Sequence, residues 1–181
     1  MAEEKLEVKP LSRSEREAQI KDKAGLVIVV MALFMAITTY FSNSYSGAVL
    51  KNMLKATDTY AFYQSKSIKQ TIAEGQLEDA KEKKDAARIE KLQAKIDRYE
   101  TDPEKGEGKK ELLAKAQAYE AVRDNAAKHG PWLTFASMAF QLAIVLLSAS
   151  ILAVNNKMYK ISEVVAVIGV LLLCQGIWLW I

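Results

Sequence analysis

The sequence predicts an all-α membrane protein with three transmembrane helices, an extramembrane helical hairpin and an amphipathic helix. Two observations lead to this fold class. First, 26% of the 181 residues are charged, yet three long stretches contain no charged residue. Second, lysine alternates with acidic residues between the first and second of these stretches, which is typical of solvated helix surfaces. The formal net charge of +3 is too small to indicate a nucleic-acid partner.

The three uncharged stretches have the length of transmembrane helices. A helix rises about 1.5 Å per residue, and the hydrocarbon core of a bilayer is about 30 Å thick. Trp132, Trp178 and Trp180 stand at stretch ends, where indole rings favour the membrane–water boundary. Three such stretches in one short chain argue against buried helices of a soluble protein. The predicted spans are residues 24–42, 132–154 and 164–181.

The remaining segments complete the predicted organisation. The first span follows a long segment of mixed charge and exceeds the apolar region of a cleaved secretory signal, about 7–15 residues. We therefore interpret it as a permanent span. The other segments are a charged N-terminal segment (1–23), an extramembrane domain (43–131) and a short loop (155–163).

Basic residues near the span ends predict the orientation, because cytoplasmic loops carry an excess of lysine and arginine. Six lie on the side of the N-terminus and the 155–163 loop, and four lie on the side of the extramembrane domain. The six are Arg13, Arg16, Lys21, Lys23, Lys157 and Lys160; the four are Lys51, Lys55, Arg123 and Lys128. The excess predicts a cytoplasmic N-terminus and a periplasmic or exterior domain.

Residues 47–73 read as a separate amphipathic helix with an apolar stripe. The weak helix formers between Ser42 and Gly47 favour a bend after the first span, so this helix is predicted to lie along the bilayer surface. A continuous helix rising out of the first span is the competing interpretation. The residues predicted to reach the membrane surface are Lys51, Lys55, Tyr60, Tyr63, Lys66 and Lys69.

Residues 76–100 and 109–129 are predicted to form an antiparallel coiled-coil hairpin. Proline and two glycines in the segment 101–108 between them indicate a turn. Apolar residues recur at intervals of three, four and seven, as in a heptad pattern. The residues predicted to associate are Leu92, Ile96, Tyr99, Leu112 and Tyr119. Because the stripe is short, we expect it to be buried between copies or against a partner.

Two glutamines inside the spans are predicted to mediate helix–helix association. Gln141 and Gln175 lie at similar depths from the same side of the predicted bilayer. A primary amide facing lipid costs several kcal/mol unless it is hydrogen-bonded. We expect the two amides to bond each other or an equivalent group across a helix interface. The alternative is that they line a polar path.

No catalytic, cofactor or metal site is predicted. The segment from Gly106 to Lys110 lacks the spacing of a phosphate loop, and the neighbouring acidic residues lack that of a calcium loop. His129 is the one histidine, so a multi-histidine metal site is unavailable. Cys174 is the one cysteine, so there is no disulfide framework.

Two motifs resemble those of a bacterial membrane family known as a domain of unknown function. They are YAFYQSKSIKQT at residues 60–71 and YETDPEKGEGKKEL at residues 99–112, and residues 141–146 and 148–151 add to the resemblance. The resemblance covers nearly the whole chain. It implies a multi-pass protein of the bacterial inner (plasma) membrane and supplies no activity or ligand.

Two classes of function fit these observations. The first is a non-enzymatic structural or interaction protein, either a self-associating membrane scaffold or an accessory subunit of a larger membrane complex. Its partners would be the lipid bilayer and further copies or subunits. The alternative is an oligomeric channel or small-solute permeation pathway lined by Gln141 and Gln175.

Overall fold

A computed structural model describes residues 12–179, which form helices joined by short turns and contain no strand. The predicted all-α class is therefore confirmed. The helices are α1 (Arg13–Glu82), α2 (Ala86–Glu100), α3 (Lys109–Ala127), α4 (Gly130–Ala153) and α5 (Asn156–Trp178). Residues 1–11 of the predicted N-terminal segment, together with Trp180 and Ile181 of the third span, lie outside the described residues.

Three helical stretches are long and apolar enough to cross a membrane. They lie within Ile20–Glu82, within Lys109–Ala153 and over Asn156–Trp178, with mean hydropathies of 2.3, 2.1 and 2.0. The prediction of three stretches with the length and composition of membrane spans is confirmed.

The chain divides into two compact units. Of the residues that the structure describes, 12–44 and 128–179 form unit 1, and 45–127 form unit 2. Within the described residues, unit 1 contains the first part of α1 with α4 and α5, whereas unit 2 contains the rest of α1 with α2 and α3.

Helix α1 begins at a capping box and runs for 70 residues. The Ser12 N–H donates to Glu15 Oε2 at 2.8 Å, and the Glu15 N–H donates to Ser12 Oγ at 3.3 Å. The prediction that residues 47–73 form a separate helix is wrong, because α1 continues without a break through Ser42–Gly47. A glycine inside a helix costs only about 1 kcal/mol, and α1 contains no proline to interrupt it.

The turns after α1 and after α4 share one geometry. Lys84 and Val154 adopt the left-handed conformation, with φ of 55° and 49°. The next residues, Asp85 and Asn155, donate their N–H groups to carbonyls in the last turn of the preceding helix, each at 3.1 Å. Their side chains then cap the first turn of the following helix. Because α5 begins at Asn156, residues 156–163 of the loop predicted over 155–163 are helical instead.

In unit 1, helices α4 and α5 pack antiparallel through glycine contacts. A side-chain carbon at Gly169 would lie 2.9 Å from Phe140 Cε1, and one at Gly176 would lie 2.9 Å from Leu133 Cδ2. Phe140 also stacks on Phe34 of α1, with ring centroids 5.9 Å apart. A further cluster joins α1 to α4 through Ala24, Met31, Ala143 and Leu147.

In unit 2, helices α2 and α3 run back along α1 one after the other. An apolar cluster joins Leu77 and its neighbours on α1 to Leu92 and Ile96 on α2. Further along the chain, Lys109 lies over the Tyr63 ring and Glu120 accepts a hydrogen bond from Tyr60. Later residues of α2 and α3 thus contact earlier residues of α1, as expected for helices that run antiparallel to it.

The hairpin predicted between residues 76–100 and 109–129 is therefore wrong. Helices α2 and α3 make only sparse contact with each other. The chain reverses direction at residues 83–85. Residues 101–108 separate α2 from α3, but the chain continues in the same direction after them. Proline and glycine indicated the break in 101–108 correctly, but they do not determine the direction in which the chain continues.

Candidate functional site

The two sequence motifs at residues 60–71 and 99–112 meet in unit 2. Lys66 of α1 lies at their junction, and its side chain is only 13% exposed. Its Nζ lies 3.7 Å from Glu107 Oε2, 5.3 Å from the centre of the Phe62 ring and 5.7 Å from that of Tyr99. One ammonium thus contacts a carboxylate and two aromatic rings, an arrangement in which electrostatic and cation–π attraction compensate for desolvation.

Lys109 forms a second junction, between α3 and both other helices. Its Nζ donates to Glu100 Oε2 at 3.1 Å and lies 5.9 Å from the centre of the Tyr63 ring. The hydrogen bond from Lys109 holds the pKa of the Glu100 carboxyl below its ordinary value. Tyr63 and Lys109, one from each sequence motif, thus meet beside Glu100.

The segment 101–108 is built around a buried aspartate. Asp102 accepts hydrogen bonds from the Lys105 N–H and from Arg98 Nε, both at 3.3 Å. Burial alone would raise the pKa of Asp102, but these hydrogen bonds outweigh it and hold the pKa below its ordinary value. The Gly106 N–H closes the turn on the Asp102 carbonyl at 2.7 Å, and Gly106 adopts a φ of 64°.

A cleft of 330 Å³ opens beside this segment. It is lined by four cations, two carboxylates and one tyrosine: Lys66, Lys95, Arg98, Lys105, Asp102, Glu107 and Tyr99. Asp102 is bonded to Arg98, and Glu107 is paired with Lys66. Two of the four cations, Lys66 and Arg98, thus hold α1, α2 and the loop together, and the cluster acts as a polar junction.

Most residues predicted to reach the membrane surface instead contact α2 or α3. Tyr63 and Lys66 belong to the junctions above. Lys55 Nζ lies 5.2 Å from the centre of the Tyr119 ring. The Tyr60 hydroxyl donates to Glu120 Oε2 at 3.0 Å, and this bond raises the pKa of Tyr60. Lys51 and Lys69 are exposed.

The apolar residues predicted to associate between copies are packed within the chain. Leu92 and Ile96 are buried against Ala73, Leu77 and Ala80 of α1, and Tyr99 packs at the edge of this cluster. Leu112 is buried, and Tyr119 is half-buried beneath Lys55. This stripe of α2 is covered by α1, so it is not available to a second copy.

The structure does not bring Gln141 and Gln175 together. Gln175 is buried in unit 1, whereas Gln141 is exposed on α4, where its Nε2 donates to Ser137 Oγ at 3.4 Å. The pairing of Leu133 with Gly176 and of Phe140 with Gly169 places the two glutamines about 10 Å apart along the helix pair. Within one chain they do not form a shared polar path.

His129 connects the start of α4 to the end of α5. Its Nδ1 donates to the Gly176 carbonyl at 2.7 Å, because a carbonyl oxygen can only accept. The last carbonyls of a helix have no partner within the helix, so this bond satisfies one of them. Among residues 12–179, no group of three or more histidine, cysteine, aspartate or glutamate residues could hold a metal ion. The sequence alone gave no sign of the role of His129.

These features define an all-α chain with three membrane-length helices and a polar junction between the helices of its second unit. The chain belongs to the family described as Domain of unknown function (DUF4337), which matches residues 20–179. No curated protein and no solved structure matches the chain. The resemblance to a family of unknown function is thus confirmed.

Proposed function

We propose that this chain is a multi-pass protein of a bacterial inner membrane that acts as a self-associating scaffold or as an accessory subunit of a larger membrane complex. In this proposal the N-terminus is cytoplasmic and residues 43–131 are periplasmic. The three membrane-length helices and the basic residues at their ends support this topology.

One observation carries the proposal of self-association: an apolar stripe remains uncovered on α1 in unit 2. Its large side chains are 52–62% exposed, although α2 and α3 cover the other side of the helix. Soluble surfaces rarely leave such a line of apolar side chains open unless it serves an interaction. The stripe consists of Leu50, Met53, Leu54, Ile68 and Ile72.

A second copy of this chain is the occupant that we propose for the stripe. A membrane would hold both copies in the same orientation, so their α1 helices would run parallel. Four residues of the stripe lie on one helix face together with Ala61, at successive intervals of four, seven, seven and four. They are Leu50, Leu54, Ile68 and Ile72. Such a face is complementary to itself in a parallel pair.

The Ile68→Asp variant tests the proposal. Ile68 is 62% exposed, so the fold should tolerate the change, but a carboxylate in a closed apolar interface would lose its hydration. We expect self-association, measured by native mass spectrometry and by fluorescence energy transfer in vesicles of increasing lipid-to-protein ratio, to weaken about tenfold or more.

The matched control for Ile68→Asp is Ala94→Asp, which places the same carboxylate on the exposed face of α2. This control should associate like the unmodified protein. Helix content measured by circular dichroism should be equal in all three proteins. An unmodified protein that is monomeric at every lipid-to-protein ratio would overturn the proposal.

The proposed topology is tested with a membrane-impermeant thiol reagent on intact spheroplasts. Single cysteines are introduced as Ser14→Cys and Lys83→Cys, both at exposed positions, after the native thiol is removed by Cys174→Ala. We expect labelling at position 83 but not at position 14 until the membrane is permeabilised. Labelling at position 14 alone would reverse the orientation.

A further inference from the structure

Helix α4 carries a regular series of residues on its exposed face, here called the seam. Its members follow one another at alternating intervals of four and three, and they are Thr134, Met138, Gln141, Val145, Ser148 and Leu152. All six are exposed, and Met138, Val145 and Leu152 are 59%, 62% and 85% exposed. The opposite face of α4 is buried against the rest of unit 1, through residues such as Leu133, Phe140 and Leu147.

Spacing by four and three is the pattern of helices that pack side by side with a left-handed crossing. In the seam, three apolar positions alternate with three polar positions. A face that only met lipid would need neither the alternation nor the polar residues, because lipid tails pack equally well against any apolar surface.

Two of the polar positions are satisfied within α4 itself. Thr134 Oγ1 donates to the Gly130 carbonyl at 3.0 Å, and Ser148 Oγ donates to the Ile144 carbonyl at 2.9 Å. Both side chains can therefore approach another helix closely at little cost. Small hydroxyl residues of this kind are common where membrane helices meet.

Gln141 is different, because its amide is not satisfied. A carboxamide offers two donor hydrogens and one acceptor oxygen. Among the described residues it makes one long bond, from Nε2 to Ser137 Oγ at 3.4 Å. Gln141 lies in the interior of the uncharged stretch 132–154, where an unsatisfied polar group costs several kcal/mol. The amide therefore requires a partner outside its own chain.

We propose that α4 pairs in the membrane with α4 of a second copy along the seam, with the two Gln141 amides hydrogen-bonded to each other. A carboxamide is its own complement, since each can donate to the oxygen of the other. Parallel copies related by a twofold axis bring identical positions of the seam face to face. This inference rests on the proposed self-association and assigns it a surface within the membrane.

Cysteine cross-linking along α4 tests the seam. Single cysteines are introduced at positions 134–152 in the Cys174→Ala background, and disulfide formation is followed after mild oxidation in native membranes. We expect dimer yields to peak at the five seam positions other than 141, where the change removes the proposed amide pair, and to be low for the matched controls Phe135→Cys and Leu142→Cys. Both control positions are exposed but lie about a quarter turn from the centre of the seam.

Substitution of Gln141 tests the proposed amide pair. We expect Gln141→Leu to weaken dimerisation of the full chain in lipid vesicles about 3- to 30-fold, the range for one hydrogen bond between membrane helices. Gln141→Asn retains a carboxamide and should restore most of the affinity. Equal affinities of the Leu variant and the unmodified protein would overturn the amide pair.

The outcomes separate this inference from the proposed function. A protein that self-associates but cross-links best at positions 135 and 142, or equally at all positions, contradicts the seam and leaves self-association standing. A protein that is monomeric in vesicles contradicts both. A peak at the seam together with intact association of Ile68→Asp would support the seam and remove the role of the α1 stripe.

Discussion

Replacement of Gly108 by alanine is expected to destabilise unit 2 by about 2–3 kcal/mol, the upper range for a side chain forced into a packed site. The added carbon would lie 2.7 Å from Thr101 Cα and would also clash with the Asp102 nitrogen and Glu111 Oε2. Two of these three atoms belong to the backbone, so no rotation of a side chain relieves the clash. Thermal and urea unfolding of the full chain, followed by circular dichroism, would measure the loss.

Two other glycines of unit 2 provide matched controls. Gly75 lies inside α1 with no atom within 4 Å of an added carbon, so Gly75→Ala should stabilise the chain by about 0.5–1 kcal/mol. Gly106→Ala has space but must hold the φ of 64°, which costs about 1–2 kcal/mol. If Gly108→Ala were as mild as Gly75→Ala, the close packing of segment 101–108 would be contradicted.

Replacement of Gly169 by leucine is expected to weaken the contact between α4 and α5 by about 2 kcal/mol. The first carbon of the new side chain would already lie 2.9 Å from the Phe140 ring, which is fully buried and stacked on Phe34. Membrane helices pack through such small residues because close approach of the helices supplies their van der Waals attraction. Reversible unfolding in bicelles would measure the effect.

A double-mutant cycle locates the effect of Gly169→Leu at the Phe140 ring. Phe140→Ala leaves a cavity, and the leucine at position 169 should fill part of it, so the double variant should be more stable than the sum of the two single effects by about 1 kcal/mol or more. Gly25→Leu, at a position inside α1 with no atom within 4 Å, should not destabilise the chain. Additive effects at positions 140 and 169 would contradict the contact.

The parts of the fold that depend on composition could be predicted from the sequence. Stretches 24–42 and 132–154 lack charges over the length of a bilayer, and nothing but a membrane or a large core could cover them. The break at residues 101–108 was likewise predictable, because proline and glycine disfavour helix whatever surrounds them.

The parts that depend on small energy differences could not be predicted. Gly47 and Gly75 each cost α1 about 1 kcal/mol, which the packing of the helix outweighs. This cost is too small for the sequence to decide whether the helix continues through either glycine or ends there. The turn into α2 places a lysine, Lys84, in the left-handed conformation that usually marks glycine. With no glycine at this turn, the sequence directed attention to the wrong place for the reversal.

The residues of the junctions in unit 2 were predicted at the membrane surface for the same reason. Tyr60, Tyr63 and Lys66 form an amphipathic pattern that suits a lipid surface and an aromatic junction equally well. Only the placement of α2 and α3 along α1 decides between the two. The small residues Ala56, Thr59 and Ala73 on the same side of α1, all buried, were the available signal that another helix approaches there.

The arrangement of α2 and α3 along α1 also sets an order of folding for unit 2. Leu77 and Leu92, near the turn at 83–85, close a short loop, whereas Tyr60 and Glu120 are separated by 60 residues. The entropic cost of closing a loop rises with its length, so contacts form first beside the turn and later at increasing distance from it. During synthesis α1 leaves the ribosome first and exposes its inner face until α2 and then α3 arrive. A nascent chain that ends at Glu100 already contains both residues of the Leu77–Leu92 contact. It lacks Glu120, so the Tyr60 hydroxyl does not yet have its carboxylate acceptor.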